Sequence, residues 1–329
     1  MSALAPTMQA FFTDRLVRQR HASPETVAAY RDALRLLVSF ASQRVGKQPS
    51  QLDFADLDAP LVPDFLDHLE HERKNGVRTR NARLAAVHSL FRYAALRHPE
   101  HVAVIQRVLA IPPKRFDRAL ISFLTRAEVD AVLASPDVTT WTGRRDQALI
   151  LLAIQTGLRA SELTRITRAD LQLGTGPYVN CRGKGRKERI TPLTTGTVAT
   201  LRAWLLERGG DPSEPLFPTR TGRPLSRDAI EHRLVKYVGI AAQSCPSLKS
   251  KRISAHVLRH TAAMQLLHAG VDTSVIALWL GHEHVETTQI YLHADMSLKE
   301  RALARTKPPT TRPGRFRPSD SLVAFLENL

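Results

Sequence analysis

The chain has 329 residues, with 47 Lys and Arg against 31 Asp and Glu, a formal charge of +16 and a pI near 10.6. That length suits two domains rather than one ordinary core, and 43% apolar with 24% charged residues is a globular balance that excludes wholesale disorder. No apolar run approaches the roughly 18 residues of a bilayer span, the N-terminus lacks a signal-type apolar stretch, and Cys181 and Cys245 build no disulfide framework, so a reducing cytoplasm and a polyanionic partner are expected.

In chain order, residues 1–111 read as a helical domain. Ser23 followed by Pro24 is an N-cap with proline at the first helical position, and Val27, Tyr30, Leu34 and Leu37 recur at helical spacing. A second stripe, Leu84, Val87, Phe91 and Ala94, is flanked by Arg78, Arg80, Arg83, Arg92 and Arg97. The apolar face predicts packing and the arginines a basic flank. Ile111-Pro112-Pro113-Lys114-Arg115 breaks the pattern, so residues 112–124 are expected to form a basic linker. Charge is uneven about this point: 15 basic and 11 acidic residues lie before it, 32 and 20 beyond it.

Thr125 and Glu128 form a capping-box pattern with Leu124 and Val129 placed as a hydrophobic staple, which predicts the start of a second domain, residues 125–306. Arg145 to Thr156 reads as a helix buried nearly all round and stopped by Gly157. Residues 178–193 predict two short strands around a basic tip, Gly183 to Lys187. Helical patterns return from Asp228. Residues 307–329 are an open linker ending in the apolar Leu322, Val323, Phe325, Leu326 and Leu329.

Four local groups carry candidate chemistry. Arg159 follows the glycine stop in TGLRASEL, with Glu162 three residues on and able to fold back on the guanidinium. Lys184 sits at the strand-turn tip, with Arg186 and Lys187 as rivals for its role. His256 and Arg259 are three apart in AHVLRH and share a helix face. LGHEHVETTQIYLH holds His282 and, nine residues later, Tyr291. Each alone has an ordinary structural explanation. Together, two arginines, a lysine, two histidines and a tyrosine suit phosphoryl transfer without a metal: forked donors for nonbridging oxygens, a proton donor for the leaving oxygen and a hydroxyl nucleophile. Free tyrosine has a pKa of about 10, so attack near neutral pH needs cationic neighbours. His256, His260, His282, His284 and His293 lack a nearby cysteine or a carboxylate at ligand spacing, so no zinc site is expected; His260 and His284 are assigned to packing or phosphate contact.

TGLRASEL, GKGRKERITPL, AHVLRHTAA and LGHEHVETTQIYLH, in this order, resemble the tyrosine recombinase (phage integrase) family in its bacterial Xer-like style. The resemblance covers about Thr125 to His293, and the first domain resembles the family's core-binding domain more loosely. It implies a mainly α, two-domain C-shaped clamp with a helical core-binding domain and a mostly helical catalytic domain holding a small antiparallel β-sheet. It matches Arg159 and Arg259 to the arginines that clamp the scissile phosphate, Tyr291 to the nucleophile, Lys184 to the acid for the leaving 5′ oxygen, and His256 and His282 to the two histidines. Glu162 matches the acidic support of the first arginine.

The implied activity is site-specific DNA recombination or integration through a 3′-phosphotyrosyl intermediate, with no cofactor, metal or ATP, as in mobile elements. The implied partners are double-stranded DNA and further copies of the chain in a tetramer on two DNA sites, with residues 307–329 docked in trans on a neighbouring copy or, as the alternative, in cis on their own catalytic domain, and partner recombinases or accessory proteins as additional candidates. Arg78, Arg80, Arg83, Lys114, Arg115, Arg186 and Lys187 are the DNA-contact candidates. Type IB topoisomerase-like nicking and rejoining, or DNA binding by a vestigial site, are the alternatives.

Overall fold

The computed structural model describes residues 3–116, 121–183, 188–282 and 287–294, and packing separates Met1–Arg118 from Ala119–Leu329. In the first unit, α1 (Leu4–Ala10) runs into a wider-turned segment, Phe11–Gln19, where the Arg20 amide donates to the Arg15 carbonyl five residues back. Helix α2 (Pro24–Val45) starts where the sequence places it: Ser23 is extended and its Oγ accepts the Thr26 amide at 3.2 Å, and Gly46 ends it at φ +73°. Then follow α3 (Leu61–His71), α4 (Val77–Ala95) and α5 (Val102–Leu109).

The stripe Leu84, Val87, Phe91 and Ala94 of α4 is buried with Leu34, Leu37, Phe65 and Leu66. Each fully buried Leu or Phe contributes about 1.5–3 kcal/mol, which settles α4's apolar face inward; Arg78 and Arg92 stay exposed, while Arg80 is buried beside Glu70.

The second unit opens on α6 (Arg126–Ala134). Thr125 Oγ1 accepts the Glu128 amide while Glu128 Oε2 accepts the Thr125 amide at 2.8 Å, and both Leu124 and Val129 are buried. Helix α7 spans Trp141–Thr156, one turn earlier than the apolar pattern alone predicts, because Thr140 caps it by accepting the Gly143 amide at 3.0 Å. Arg145 is carried in this buried helix because Asp146 Oδ1 and the Pro218 carbonyl take its donors, and Tyr237 Oη donates to Asp146 Oδ2. The short α8 (Ala160–Leu163) follows.

Strands β1 (Leu171–Gln172), β2 (Tyr178–Arg182) and β3 (Glu188–Pro192) form an antiparallel sheet in that order, with Cys181 opposite Arg189. The remainder is helical: α9 (Thr195–Arg208), α10 (Arg227–Ser244), α11 (Ala255–His268), α12 (Thr273–Leu280) and α13 (Gln289–Ala294). The main core gathers Leu149, Leu152, Trp204, Leu234 and Leu258. A smaller one gathers Met264, Leu267, Ile276, Leu280 and Tyr291. Among the described residues no helix is long and apolar enough to cross a membrane. The two strands expected around the basic tip are present; the tip residues Lys184, Arg186 and Lys187 lie outside the described residues, as does the segment 307–329.

Candidate active site

Two glycine stops frame the site. Gly157, after α7, adopts φ +66°, and a Cβ there would meet Leu280 Cδ2 at 2.5 Å and Ala262 Cβ at 3.2 Å, so only glycine permits this approach of α7 to α11 and α12. Gly281, after α12, adopts φ +64°, and its bare Cα leaves room for the Arg189 side chain, which a Cβ would meet at 3.1 Å.

The C-terminal carbonyls of a helix have no intrahelical partner and carry the negative end of its dipole. At the end of α12, three consecutive carbonyls each accept from a different arginine. Arg189 Nε donates to Trp279 O at 3.1 Å, Arg259 Nη2 to Leu280 O at 2.6 Å and Arg159 Nη2 to Gly281 O at 2.8 Å. Arg259, buried on α11, also donates through Nη1 to Gly157 O at 2.7 Å.

Glu162 folds back as its spacing predicts. Its Oε1 accepts Arg159 Nη1 at 2.9 Å and its Oε2 the Arg159 amide at 2.8 Å. Burial raises its carboxyl pKa, but the hydrogen bonds and charge of Arg189, with the Arg159 amide and charge, bring it below the usual value. Two guanidiniums, of Arg159 and Arg189, thus share the charge of Glu162. Arg259 is lowered to about 10, by burial first and then by the charges of Arg159 and Arg189. It remains a cation near neutral pH, and the crowding leaves a local positive excess suited to an anion.

Tyr291 on α13 is 1% exposed. Its Oη lies 3.2 Å from His260 Nδ1, and its ring stacks parallel to His282 with centroids 6.4 Å apart. Burial raises the phenol pKa above its ordinary value, and the charges of Arg259 and Arg159 offset only part of the rise. His282 Nδ1 pairs with Thr288 Oγ1 at 2.7 Å. His260 and His282 are both lowered to about 4, chiefly by burial and then by neighbouring charge, so both rings are neutral near pH 7. His256 lies one helical turn before His260, ring centroids 4.3 Å apart, and burial followed by Arg259 and Arg159 lowers its pKa.

Arg159, Glu162, His256, Arg259, His282 and Tyr291 therefore belong to one neighbourhood built from the ends of α7, α11, α12 and α13. Two further members join them: His260, expected to pack or contact phosphate, and Arg189, for which no role was expected. The four-residue spacing of His256 and His260 was a usable signal for the second histidine, since it puts both on one helix face. Arg189 was masked by its strand: Arg189 and the buried Thr191 face inward while Ile190 is 62% exposed, the reverse of an apolar-in pattern.

In the first unit the expected DNA-contact residues separate by environment. Arg78 is exposed and lies over the Phe116 ring at 5.2 Å, and Arg115 is exposed. Arg80 is buried beside Glu70 at 3.6 Å, and Lys114 pairs with Glu70 at 3.0 Å. Arg83 is half-buried, with its pKa lowered by burial and by Arg73.

Residues 122–297 match the phage integrase family and residues 10–98 its N-terminal SAM-like domain. The chain is 55% identical over 328 residues to the candidate integrase/recombinase y4rC of Sinorhizobium fredii, covering 100% of this chain and 99% of that one. It is 33% identical over 289 residues to the tyrosine recombinase XerD of Vibrio cholerae, covering 86% and 90%. Among solved structures, the XerH site-specific recombinase bound to palindromic difH substrate, a post-cleavage complex, shares the fold with a TM-score of 0.67 at 21% identity, covering 87% of this chain and 81% of that one.

Proposed function

The chain belongs to the phage integrase family and is an Xer-like tyrosine site-specific recombinase, and on that premise we propose how its residues divide the reaction. Arg159 and Arg259 hold the nonbridging oxygens of a scissile DNA phosphate. Tyr291 Oη gives up its proton to the neutral His260 ring 3.2 Å away and attacks phosphorus; the Oη–P bond forms as the P–O5′ bond breaks, and Lys184 gives its proton to the leaving 5′ oxygen. The free 5′ hydroxyl of a partner strand then attacks the phosphotyrosine and releases Tyr291. Bond energy is kept in the covalent intermediate, so the exchange needs neither ATP nor a metal, and fixed positive charge does the electrostatic work. His256 and His282 contribute hydrogen bonds at the phosphate, and Glu162 orients Arg159.

The observation that carries this reading is the positive excess around Glu162 beside the buried Tyr291, whose phenol pKa burial raises on balance while the charges of Arg259 and Arg159 offset part of the rise, so that a phosphate seated on those arginines brings cation and nucleophile together. Residues 1–111 serve as the core-binding domain, 112–124 as linker and 125–306 as the catalytic domain. Residues 307–329 pass to a neighbouring copy in a tetramer on two double-stranded DNA sites. Arg78, Arg83, Lys114, Arg115, Arg186 and Lys187 contact DNA, whereas Arg80, buried against Glu70, supports this face from within. The protein acts in the cytoplasm, on the nucleoid.

The test is covalent capture. Full-length protein incubated with fragmented genomic DNA should leave denaturant-resistant adducts on 3′ ends at defined sites. Tyr291→Phe removes only the nucleophilic oxygen and should bind DNA without forming them. Adducts of equal yield from Tyr291→Phe would sink the assignment.

A further inference from the structure

The arginine that the strand pattern hid, Arg189, has no role in the division of labour above, yet it bonds both the Glu162 carboxylate and the end of α12. Arg189 places Nη1 on Glu162 Oε1 at 2.9 Å and Nη2 on Glu162 Oε2 at 2.8 Å, a parallel fork that fixes the carboxylate plane. Its Nε donates to Trp279 O, the carbonyl two residues before the one that receives Arg159. Both partners of Arg159 outside its own backbone, the Glu162 carboxylate and the end of α12, are therefore tied to Arg189. Its own pKa is raised: burial lowers it, and the Glu162 hydrogen bonds and charge more than restore it.

The charge balance gives Arg189 a second effect. Without it, Glu162 would be neutralised by Arg159 alone, and the guanidinium meant for an incoming phosphate would be held as half of an ion pair. With Arg189 bound to both oxygens, Glu162 still orients Arg159 but takes less of its charge. Chain position adds a third: Arg189 follows the basic tip by two residues, so its fork ties the strand that follows the tip to Glu162 and its Nε ties that strand to the end of α12.

We propose that Arg189 is a positioning residue for the reaction, acting through Glu162 and the end of α12 to aim Arg159 at the scissile phosphate. This rests on the recombinase reading of the site. Lysine in its place would keep the charge but lose the fork.

The experiment measures covalent attachment on a nicked oligonucleotide carrying a site that the wild-type protein cleaves, with affinity and melting temperature measured beside it. Arg189→Gln should slow attachment by about 100-fold and Arg189→Lys by about 10-fold, the range expected when a supporting group is lost and a reacting group shifts by about 1 Å. DNA affinity should change little. The readout that a merely structural role would not give is a double-mutant cycle: acting through Arg159, Arg189→Gln should add less than about 3-fold to the defect of Arg159→Ala. Should Arg189→Gln fold poorly, the cycle is run with Arg189→Lys. Multiplicative defects in the cycle, or wild-type attachment by Arg189→Gln, would overturn the inference and leave the recombinase reading intact. Wild-type protein that forms no adduct on any DNA would instead remove that reading, and this inference with it.

Discussion

Glu162 and Arg189 meet through two parallel hydrogen bonds, 2.9 and 2.8 Å long, with the carboxylate 5% and the guanidinium 10% exposed. A pair this well shielded is screened little by salt. Together with the Arg159 amide and guanidinium it gives each Glu162 oxygen two donors, so the carboxylate is satisfied before any ligand arrives. The donors of Arg159 and Arg259 that are not spent on Glu162 and the glycine-framed carbonyls are the ones an anion can recruit. The site is preorganised in the sense that its reorganisation has been done by folding.

That frame depends on Gly157. Gly157→Ala would force a Cβ to within 2.5 Å of Leu280 in a left-handed backbone, displacing the carbonyl that anchors Arg259. A loss of about 1–3 kcal/mol is expected, from strain and overpacking together. Gly196, exposed in the first turn of α9 with nothing within 4 Å of its Cβ position, is the control: Gly196→Ala should be neutral or stabilise by up to about 1 kcal/mol. Thermal unfolding of the two variants checks this, and equal melting temperatures would contradict it.

The proposed acid is tested by removing the need for one. Lys184→Ala should slow cleavage strongly on ordinary DNA, by about 100-fold or more. A 5′-bridging phosphorothioate leaves without protonation and should restore most of the rate. Equal impairment on both substrates would move the role to Arg186, Lys187 or a histidine.

Much of this architecture was legible in the chain. Ser23-Pro24, the Thr125–Glu128 box and the Gly157 stop are local chemistry, and local chemistry fixed the helix ends they mark. Glu162 was legible because three residues on a short helix turn bring it back to Arg159. Arg189 and the α12 carbonyls were not, because their partners lie 27 and 90 residues apart in sequence. No periodicity encodes such a pairing, and the strand's inverted pattern argued against an inward arginine. The start of α7 was misplaced by a turn because Thr140 caps it ahead of the apolar run.

Affinity should reveal the phosphate contacts. The chain carries +16, and each phosphate neutralised on duplex DNA releases counterions with a log–log slope of about −0.9. Binding to a cleaved site should therefore weaken steeply between 50 and 200 mM salt, by about 1,000-fold if six or more phosphates are contacted. Arg115→Ala should make the slope shallower by about one contact, whereas Arg80→Ala, which removes a buried partner of Glu70, should act mainly on stability. A nearly salt-independent affinity would contradict a backbone-tracking mode.

The histidines give the site a pH signature in stability. His260 and His282 have native pKa values near 4, depressed chiefly by burial, against 6.5 for an unperturbed imidazole. Above pH 6.5 both states are neutral at these positions and the native contacts, including His260 with Tyr291 Oη and His282 with Thr288, are fully present. As pH falls below 6.5 the unfolded chain binds protons that the native site refuses, so stability rises with pH across this window and is lost as pH falls toward 4. Each histidine contributes at most about 1.4 kcal/mol per pH unit, and a unit of this size shifts by about 2–4 °C per kcal/mol. The lowered carboxyls of Glu128 and Glu162 act in the same direction, but only below their ordinary 4.5. The melting temperature of the second unit should therefore drop between pH 7 and pH 5, before those carboxylates titrate. Replacing His260 with Gln, which keeps a polar group near Tyr291 but cannot titrate, should lower stability at pH 7 and flatten the decline. Calorimetric scans at pH 7, 6 and 5 decide it: a wild-type protein whose transition does not move, or a His260→Gln variant with the full wild-type slope, would show that burial does not hold these rings neutral.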